Sequence, residues 1–268
     1  VRVLITGATS GIGEALVATY LEAGHTVIAC GRSDDKLQVI AKQSESLAGT
    51  LECSRFDITK RDEIEAAIGA LSSVDIAILN AGDCEYIDDP FHFDSALFER
   101  VIHVNLIAMG HLISTLIPKI AKGGQLALMS SSVTNLPFPR AQAYGASKAG
   151  VDYLAHTMRL ELEPYDIDVS LIHPGFIKTP LTDKNDFDMP FLLTAADAAN
   201  RIAIGLDKRK AKLEFPKRFI YLLKFISWLP SFVWTGLNRK AVYTKFQERK
   251  QLIDNNQPHQ NTHSGSIK

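Results

Sequence analysis

Val1-Arg2-Val3-Leu4-Ile5-Thr6-Gly7-Ala8-Thr9-Ser10-Gly11-Ile12-Gly13 runs from an apolar, strand-like segment through a glycine-rich turn to the head of a helix. Gly7 allows a tight turn, Gly11 lets backbone approach a pyrophosphate, and Gly13 lets helix and sheet pack closely. The helix N-terminus then offers free N–H groups and positive dipole to phosphates. A glycine-rich turn alone is weak; its strand-turn-helix context points to a dinucleotide site over Gly7, Thr9, Ser10, Gly11, Ile12 and Gly13.

Outward from that turn, short apolar runs alternate with longer amphipathic ones. Strands are expected at Val1–Thr6, Thr26–Cys30, Thr50–Phe56, Val74–Leu79, Gln125–Met129 and Asp168–Ile172, with a last short one at Ala211–Phe215. Helices are expected at Gly11–Ala23, Asp34–Ser46, Lys60–Leu71, Phe93–Lys122, Gln142–Pro164 and Thr194–Leu206. This βα alternation predicts an α/β fold, a doubly wound parallel sheet with helices on both faces. Right-handed crossovers put the carboxyl ends of the strands along one edge, where a ligand crevice forms. Residues 1–254 are read as a single domain, with 176–215 covering substrate and 216–254 forming a C-terminal helical extension. Residues 255–268 read as a polar, flexible tail.

Composition supports a globular chain: 268 residues, 46% apolar and 22% charged, which excludes disorder, collagen-like repeats and disulfide-stapled mini-folds. A net charge of -1 argues against nucleic-acid binding. Cys30, Cys53 and Cys84 show no CxxC spacing and read as thiols of a reducing, cytoplasmic compartment. Val1–Thr6 already reads as strand, so no secretory signal is expected. The eight histidines hold no close ligand pair and no metal is expected; His103, His111 and His156 read as helix-packing or surface residues. Charge is unevenly spread: residues 207–250 carry twelve basic and three acidic side chains, net +9.

The second strand ends in Ala29-Cys30-Gly31-Arg32-Ser33, without the carboxylate that would accept from a ribose 2′-OH. Gly31 leaves space and Arg32 offers a planar donor fork suited to a 2′-phosphate, which favours NADP(H) over NAD(H). Asp57, in Phe56-Asp57-Ile58, either caps the next segment or accepts from an adenine amino group. Asn80-Ala81-Gly82 ends the fourth strand, where small residues let backbone lie against a cofactor ribose.

Tyr144 and Lys148 are four residues apart, stacked on one helix face. A neighbouring ammonium favours phenolate, so the expectation is a lowered tyrosine pKa and a tunable acid/base for a carbonyl or hydroxyl oxygen. Ser130-Ser131-Ser132 follows the fifth strand at the crevice edge, where a hydroxyl can donate to that oxygen. Asn105 lies in a helix and either holds a water linking Lys148 to solvent or bonds neighbouring backbone.

With these residues in view, the chain resembles the short-chain dehydrogenase/reductase family over roughly residues 1–210. The likeness rests on Thr6-Gly7-x-x-x-Gly11-x-Gly13, Asn80-Ala81-Gly82, Asn105, a serine thirteen before the tyrosine, Tyr144-x-x-x-Lys148 and Pro174-Gly175. The resemblance implies a Rossmann-type sheet of about seven strands and a nicotinamide cofactor. It selects Ser131 as the substrate-orienting serine, Tyr144 as acid/base, Lys148 as the residue lowering its pKa and holding the nicotinamide ribose, and Asn105 as part of a water-linked proton relay. It further implies cofactor contacts at Pro174, Gly175, Ile177 and Thr179. Gly31-Arg32 is similar to NADP(H)-using members, but Ser10 stands where some of them carry a second phosphate-binding basic residue. The family also implies a homo-oligomer pairing helices 93–122 and 142–164; the C-terminal extension favours a dimer.

Apolar residues within 176–193 suit a moderately apolar substrate. Phe219–Leu237 is aromatic and flanked by Lys217-Arg218 and Arg239-Lys240, while Lys224 and Pro230 interrupt it too early for a spanning helix. It reads either as an interfacial membrane contact over 217–240, as packing on its own subunit or a partner, or as a substrate lid. The leading expectation is an NADP(H)-dependent carbonyl reductase or alcohol dehydrogenase. Its alternatives are a membrane-associated enzyme of lipid or steroid-like substrates and a non-catalytic dinucleotide sensor or scaffold.

Overall fold

The computed structural model describes residues 1–256. The expected tail at 255–268 lies outside the described residues but for its first two. By packing, the chain divides into two compact units, one of Val1–Lys224 and one from Phe225 onward. The boundary thus falls inside the expected helical extension.

In the first unit seven strands form one parallel sheet: β1 (Arg2–Thr6), β2 (Thr26–Gly31), β3 (Thr50–Arg55), β4 (Val74–Leu79), β5 (Ile120–Met129), β6 (Asp168–Pro174) and, after a separate small pair β7 (Ile177–Lys178) and β8 (Leu193–Thr194), β9 (Lys212–Phe215). Their spatial order is β3-β2-β1-β4-β5-β6-β9. Period-two alternation sends Val3 and Ile5 to one face and Leu4 to the other. On the first face they meet Leu16, Val17 and Leu21 of helix α1 (Gly11–Glu22), Leu37 and Ile40 of α2 (Asp34–Gln43), and, further along, Ile202 and Leu206 of a helix at Ala195–Asp207. On the other face Leu4, Ile28, Leu126 and Leu128 pack against Ile64 and Ile68 of α3 (Arg61–Gly69) and against the helices between β4 and β6. Each fully buried Leu or Ile contributes about 1.5–3 kcal/mol relative to exposure, so both apolar faces must be covered. Chain order reverses between β1 and β4, and the crevice opens beyond their carboxyl ends.

The expected single helix 93–122 is instead built of four pieces: α4 (Ser95–Ile102), a π-turn at His103–Ile107, α5 (Ala108–Leu116) and a 3₁₀ turn at Ile117–Lys119. Pro118 closes it, Ile120 turns extended and pairs with Val74, and β5 therefore starts five residues before the expected Gln125. By length and composition Ser95–Lys119 is apolar enough to cross a membrane. In this fold it is a sheet-covering element, with Leu97, Val101, Asn105, Leu112 and Leu116 buried. Helix α6 (Gln142–Leu162) buries Ala143, Ser147, Lys148, Val151 and Ala155. It leaves Ala146, Ala149, Tyr153, His156 and Leu160 exposed as a stripe along the helix.

Helix α7 (Ala195–Asp207) leads to β9. The aromatic segment Phe219–Leu237 is two helices, not one: α8 (Lys217–Trp228) and α9 (Ser231–Asn256), parted at Leu229-Pro230. Phe219, Ile220 and Leu223 of α8 are buried, so this part packs on its own body.

Candidate functional site

The glycine turn is held by the end of β4. The buried Thr6 hydroxyl accepts the N–H groups of Asn80 (3.0 Å) and Ala81 (3.1 Å), and Asn80 Nδ2 donates to the carbonyls of Thr6 (3.0 Å) and Gly7 (3.4 Å). Gly7 has φ +65°, and a Cβ on Gly13 would sit 2.1 Å from the Gly7 carbonyl oxygen. No larger residue fits there. Asn80 is thus a scaffold for the turn. Thr6, which opens the glycine motif but has no role of its own in the sequence reading, is its second fastening.

Ser10 heads α1 without a side-chain capping bond, whereas Ser33, Asp94 and Thr194 cap α2, α4 and α7 through their hydroxyl or carboxylate oxygens. The first-turn amides of α1 remain available to an anion. Ile12 packs against the core behind this turn. The Thr179 side chain lies against Gly11, about 3.0 Å from where its Cβ would be, bringing the segment after β6 to the turn. Behind it, Pro174 pairs with Phe215 on β9 and Gly175 N–H donates to the Phe215 carbonyl (2.7 Å); Ile177 turns its side chain into the core.

At the end of β2, a Cβ on Gly31 would meet the Thr9 methyl at 2.7 Å, so Thr9 and Gly31 form one wall of the crevice. Arg32 beside them is exposed. Asp57 takes the capping role: its Oδ1 accepts from Thr59 N (2.9 Å) and Thr59 Oγ1 (2.8 Å). Burial pushes its carboxyl up, but those two bonds and the charges of Arg32 and Lys60 together hold it below the usual range. Ile58 packs on the core.

Lys148, buried in α6, donates from Nζ to the Met129 carbonyl at the end of β5 (2.8 Å) and stands 5.8 Å from the centre of the Tyr144 ring. Burial draws its pKa down to about 8, opposed by Cys84 and Asp152. The phenol of Tyr144 is pushed up, not down, which corrects the expectation from spacing. Desolvation is the largest cause, Cys84 adds to it, and the hydrogen bond with Ser131 acts against it without prevailing. Ser131 Oγ also accepts from Val133 N (3.2 Å). Gly82 sits between the partners: its Cβ would lie 3.0 Å from Asn105 Oδ1 and 3.4 Å from Lys148 Nζ.

Asn105 is fully buried on the π-turn. Nδ2 donates to the Asp83 carbonyl (2.8 Å) and to Ser147 Oγ (2.9 Å), and Oδ1 accepts from Asp83 N (2.7 Å). Both amide hydrogens are committed to protein, so this side chain fastens the loop after β4 to α6. Of the two readings of Asn105, these contacts match the bonding to neighbouring backbone.

Residues that the motifs did not reveal complete the site. Cys84 bonds Tyr86, and the Tyr86 hydroxyl donates to Asn185 Oδ1 (2.9 Å). Arg140 stacks over the Tyr86 ring (5.1 Å) and pairs with Asp88 and, at 2.6 Å, with Asp186. Aromatic contacts run from Tyr86 to Phe187, Phe176 and Phe219. Together they fasten the segment after β6 to Tyr86 and Arg140, and Tyr86 is near enough to Tyr144 for the two to interact electrostatically. Below Lys148, Asp152 bonds Ser130 and the buried His173 (2.8 Å), which hold it ionised against its own burial. Of these only the apolar run 176–193 left a readable signal.

The uncapped α1 and a cradle that any Cβ would fill fit a nicotinamide dinucleotide, with its phosphates at Gly7–Gly13. Fold and site together define a dinucleotide-dependent oxidoreductase of the doubly wound class. A family model described as short chain dehydrogenase matches residues 2–189, and the chain belongs to that family. An uncharacterized oxidoreductase of Myxococcus xanthus is 29% identical over 246 residues, covering 88% of this chain and 96% of its own. The 3-oxoacyl-[acyl-carrier-protein] reductase FabG of Thermotoga maritima is 33% identical over 190 residues, 68% of this chain and 76% of its own. A short-chain dehydrogenase from Sphingobium yanoikuyae, solved with NADPH, has the same fold: TM-score 0.73, 23% identity and 98% of both chains covered.

The lowered Lys148 pKa has a stability consequence. Below about pH 8 the folded state carries a desolvated charge that the unfolded chain, titrating near 10.4, carries in water. Lys148→Met is therefore expected to stabilise the cofactor-free protein by about 2 kcal/mol at pH 7. That gain should shrink as pH rises from 8 to above 10, and thermal unfolding across this range checks it.

Proposed function

We propose that this chain is an NADP(H)-dependent oxidoreductase that interconverts a carbonyl and an alcohol on a moderately apolar small molecule, with Tyr144 as general acid/base. One observation carries the reading: the Tyr144 phenol is bonded to Ser131 and stands beside the buried Lys148 ammonium, which itself lies against Gly82 at the end of β4. In the reductive direction the bound nicotinamide supplies a hydride. Tyr144, kept protonated by desolvation, gives its proton to the substrate oxygen, and Ser131 donates a hydrogen bond to the same atom. Lys148 keeps a positive charge beside the phenol and offsets the phenolate that remains. Its ammonium, already turned toward the Met129 carbonyl, is also the group to hold the nicotinamide ribose. The T. maritima relative, named for reducing a 3-oxoacyl group, supports a carbonyl on an apolar chain.

The NADP(H) preference rests on Gly31 and the exposed Arg32, whose guanidinium makes no close ion pair among the described residues and interacts with the Asp57 carboxylate only at longer range. Asp57 Oδ1, fixed by Thr59, leaves its carboxylate beside that adenosine end.

Two measurements test the reading. Tyr144→Phe should lower carbonyl reduction by about a thousandfold while NADPH fluorescence titration shows unchanged binding; full turnover at every pH would contradict tyrosine catalysis. Arg32→Ala should raise the KM for NADPH about tenfold or more and leave that for NADH unchanged. An unchanged ratio of the two would contradict the cofactor assignment.

A further inference from the structure

Away from the crevice, α7, the edge strand β9 and the first turn of α8 enclose a second cleft of about 450 Å³. Arg201, Lys210 and Lys217 line it, and none of the three has an ion pair among the described residues. The carboxylate present, Glu214, is already engaged by Lys212 (3.0 Å) and Lys224 (2.6 Å). Beside the cations lie Ile204, Ile220 and the exposed Tyr221. Unpaired cations around an apolar floor suit a ligand that joins an anionic head to a hydrocarbon tail.

The outer face of α8 points to the source of that ligand. Tyr221, Phe225 and Trp228 recur at i, i+4 and i+7, and all three are exposed, Trp228 at 82%. Leu222 lies next to this row and is exposed too. The opposite face buries Phe219, Ile220 and Leu223. Residues 217–240 carry Lys217, Arg218, Lys224, Arg239 and Lys240 and no carboxylate. An aromatic stripe in a basic, acid-free segment matches the interface of an anionic bilayer, where rings sit at headgroup level and cations meet phosphate.

We propose that this cleft seats the headgroup phosphate of an anionic phospholipid, and that α8 lies on the membrane surface around it with Tyr221, Phe225 and Trp228 inserted. The site is separate from the oxidoreductase crevice and does not depend on the cofactor or substrate assignment. Lipid there would be held by Arg201, Lys210 and Lys217, with its first acyl carbons on Ile204 and Ile220.

Flotation of the full chain tests this, using phosphatidylcholine vesicles with and without phosphatidylglycerol at low ionic strength. The chain should float only when phosphatidylglycerol is present. Lys210→Glu and Lys217→Glu should each weaken vesicle binding about tenfold or more. Arg218→Glu, one residue from Lys217 but outside the cleft, should weaken it less. Trp228→Ser should weaken it as well. Inorganic phosphate, added as competitor, should not release the chain at concentrations matched in ionic strength by chloride. Equal flotation on neutral vesicles overturns the proposal, as does an equal loss in Arg218→Glu, which would make the effect a diffuse charge field. Release by phosphate alone overturns it in favour of a soluble-anion site. Lys210→Gln and Lys217→Gln give the same readout should a charge reversal fail to fold.

Discussion

An ammonium buried against a strand end sets the terms for the site. Lys148 has left water to donate to the Met129 carbonyl, and it stays charged near neutrality because Cys84 and the Asp152 carboxylate offset part of its desolvation. Such a group is costly unless its surroundings are rigid. They are: Asp152 is held by Ser130 and His173, and Asn105 ties the loop that carries Gly82 across to Ser147 on the same helix. Removal of either support would leave a charge or a buried amide without its partner.

The cofactor cradle depends on a comparable cross-tie. Four hydrogen bonds tie Thr6-Gly7 to Asn80-Ala81 across neighbouring strand ends, two of them between Thr6 and Asn80 themselves, and fix the turn at Gly7 at the point where strand order reverses. The crevice is therefore made by two adjacent carboxyl ends of one sheet. Arg140 joins the loop after β4 to the segment after β6 through Asp88 and Asp186. The scaffold gives precision and the loops give selectivity.

What could be read in the chain beforehand was chemistry with a local spacing. The glycine turn and the Tyr144/Lys148 pair are set by backbone geometry over a few residues, so both stood out, and the strand alternation followed from two covered sheet faces. What escaped depended on contacts between distant segments. The π-turn at His103–Ile107 places one amide between Asp83 and Ser147, and no periodicity announces it. The early start of β5 follows from Pro118 and from pairing with Val74, 46 residues away in sequence numbering. The sign of the Tyr144 shift was missed because spacing suggests an ammonium neighbour but not how deeply the phenol is desolvated. Cys84, Tyr86 and Arg140 belong to no motif and enter the site only through folding.

The account stands on the opposed titration of one amine and one phenol, and ¹⁵Nζ-lysine and ¹³Cζ-tyrosine NMR titrations of the cofactor-free chain measure it directly, with Lys148→Met and Tyr144→Phe serving for assignment. The Lys148 resonance should move near pH 8 and that of Tyr144 should stay protonated beyond pH 10. A Lys148 resonance that titrates above pH 10, together with a Tyr144 resonance that titrates at or below the ordinary phenol value, would contradict it.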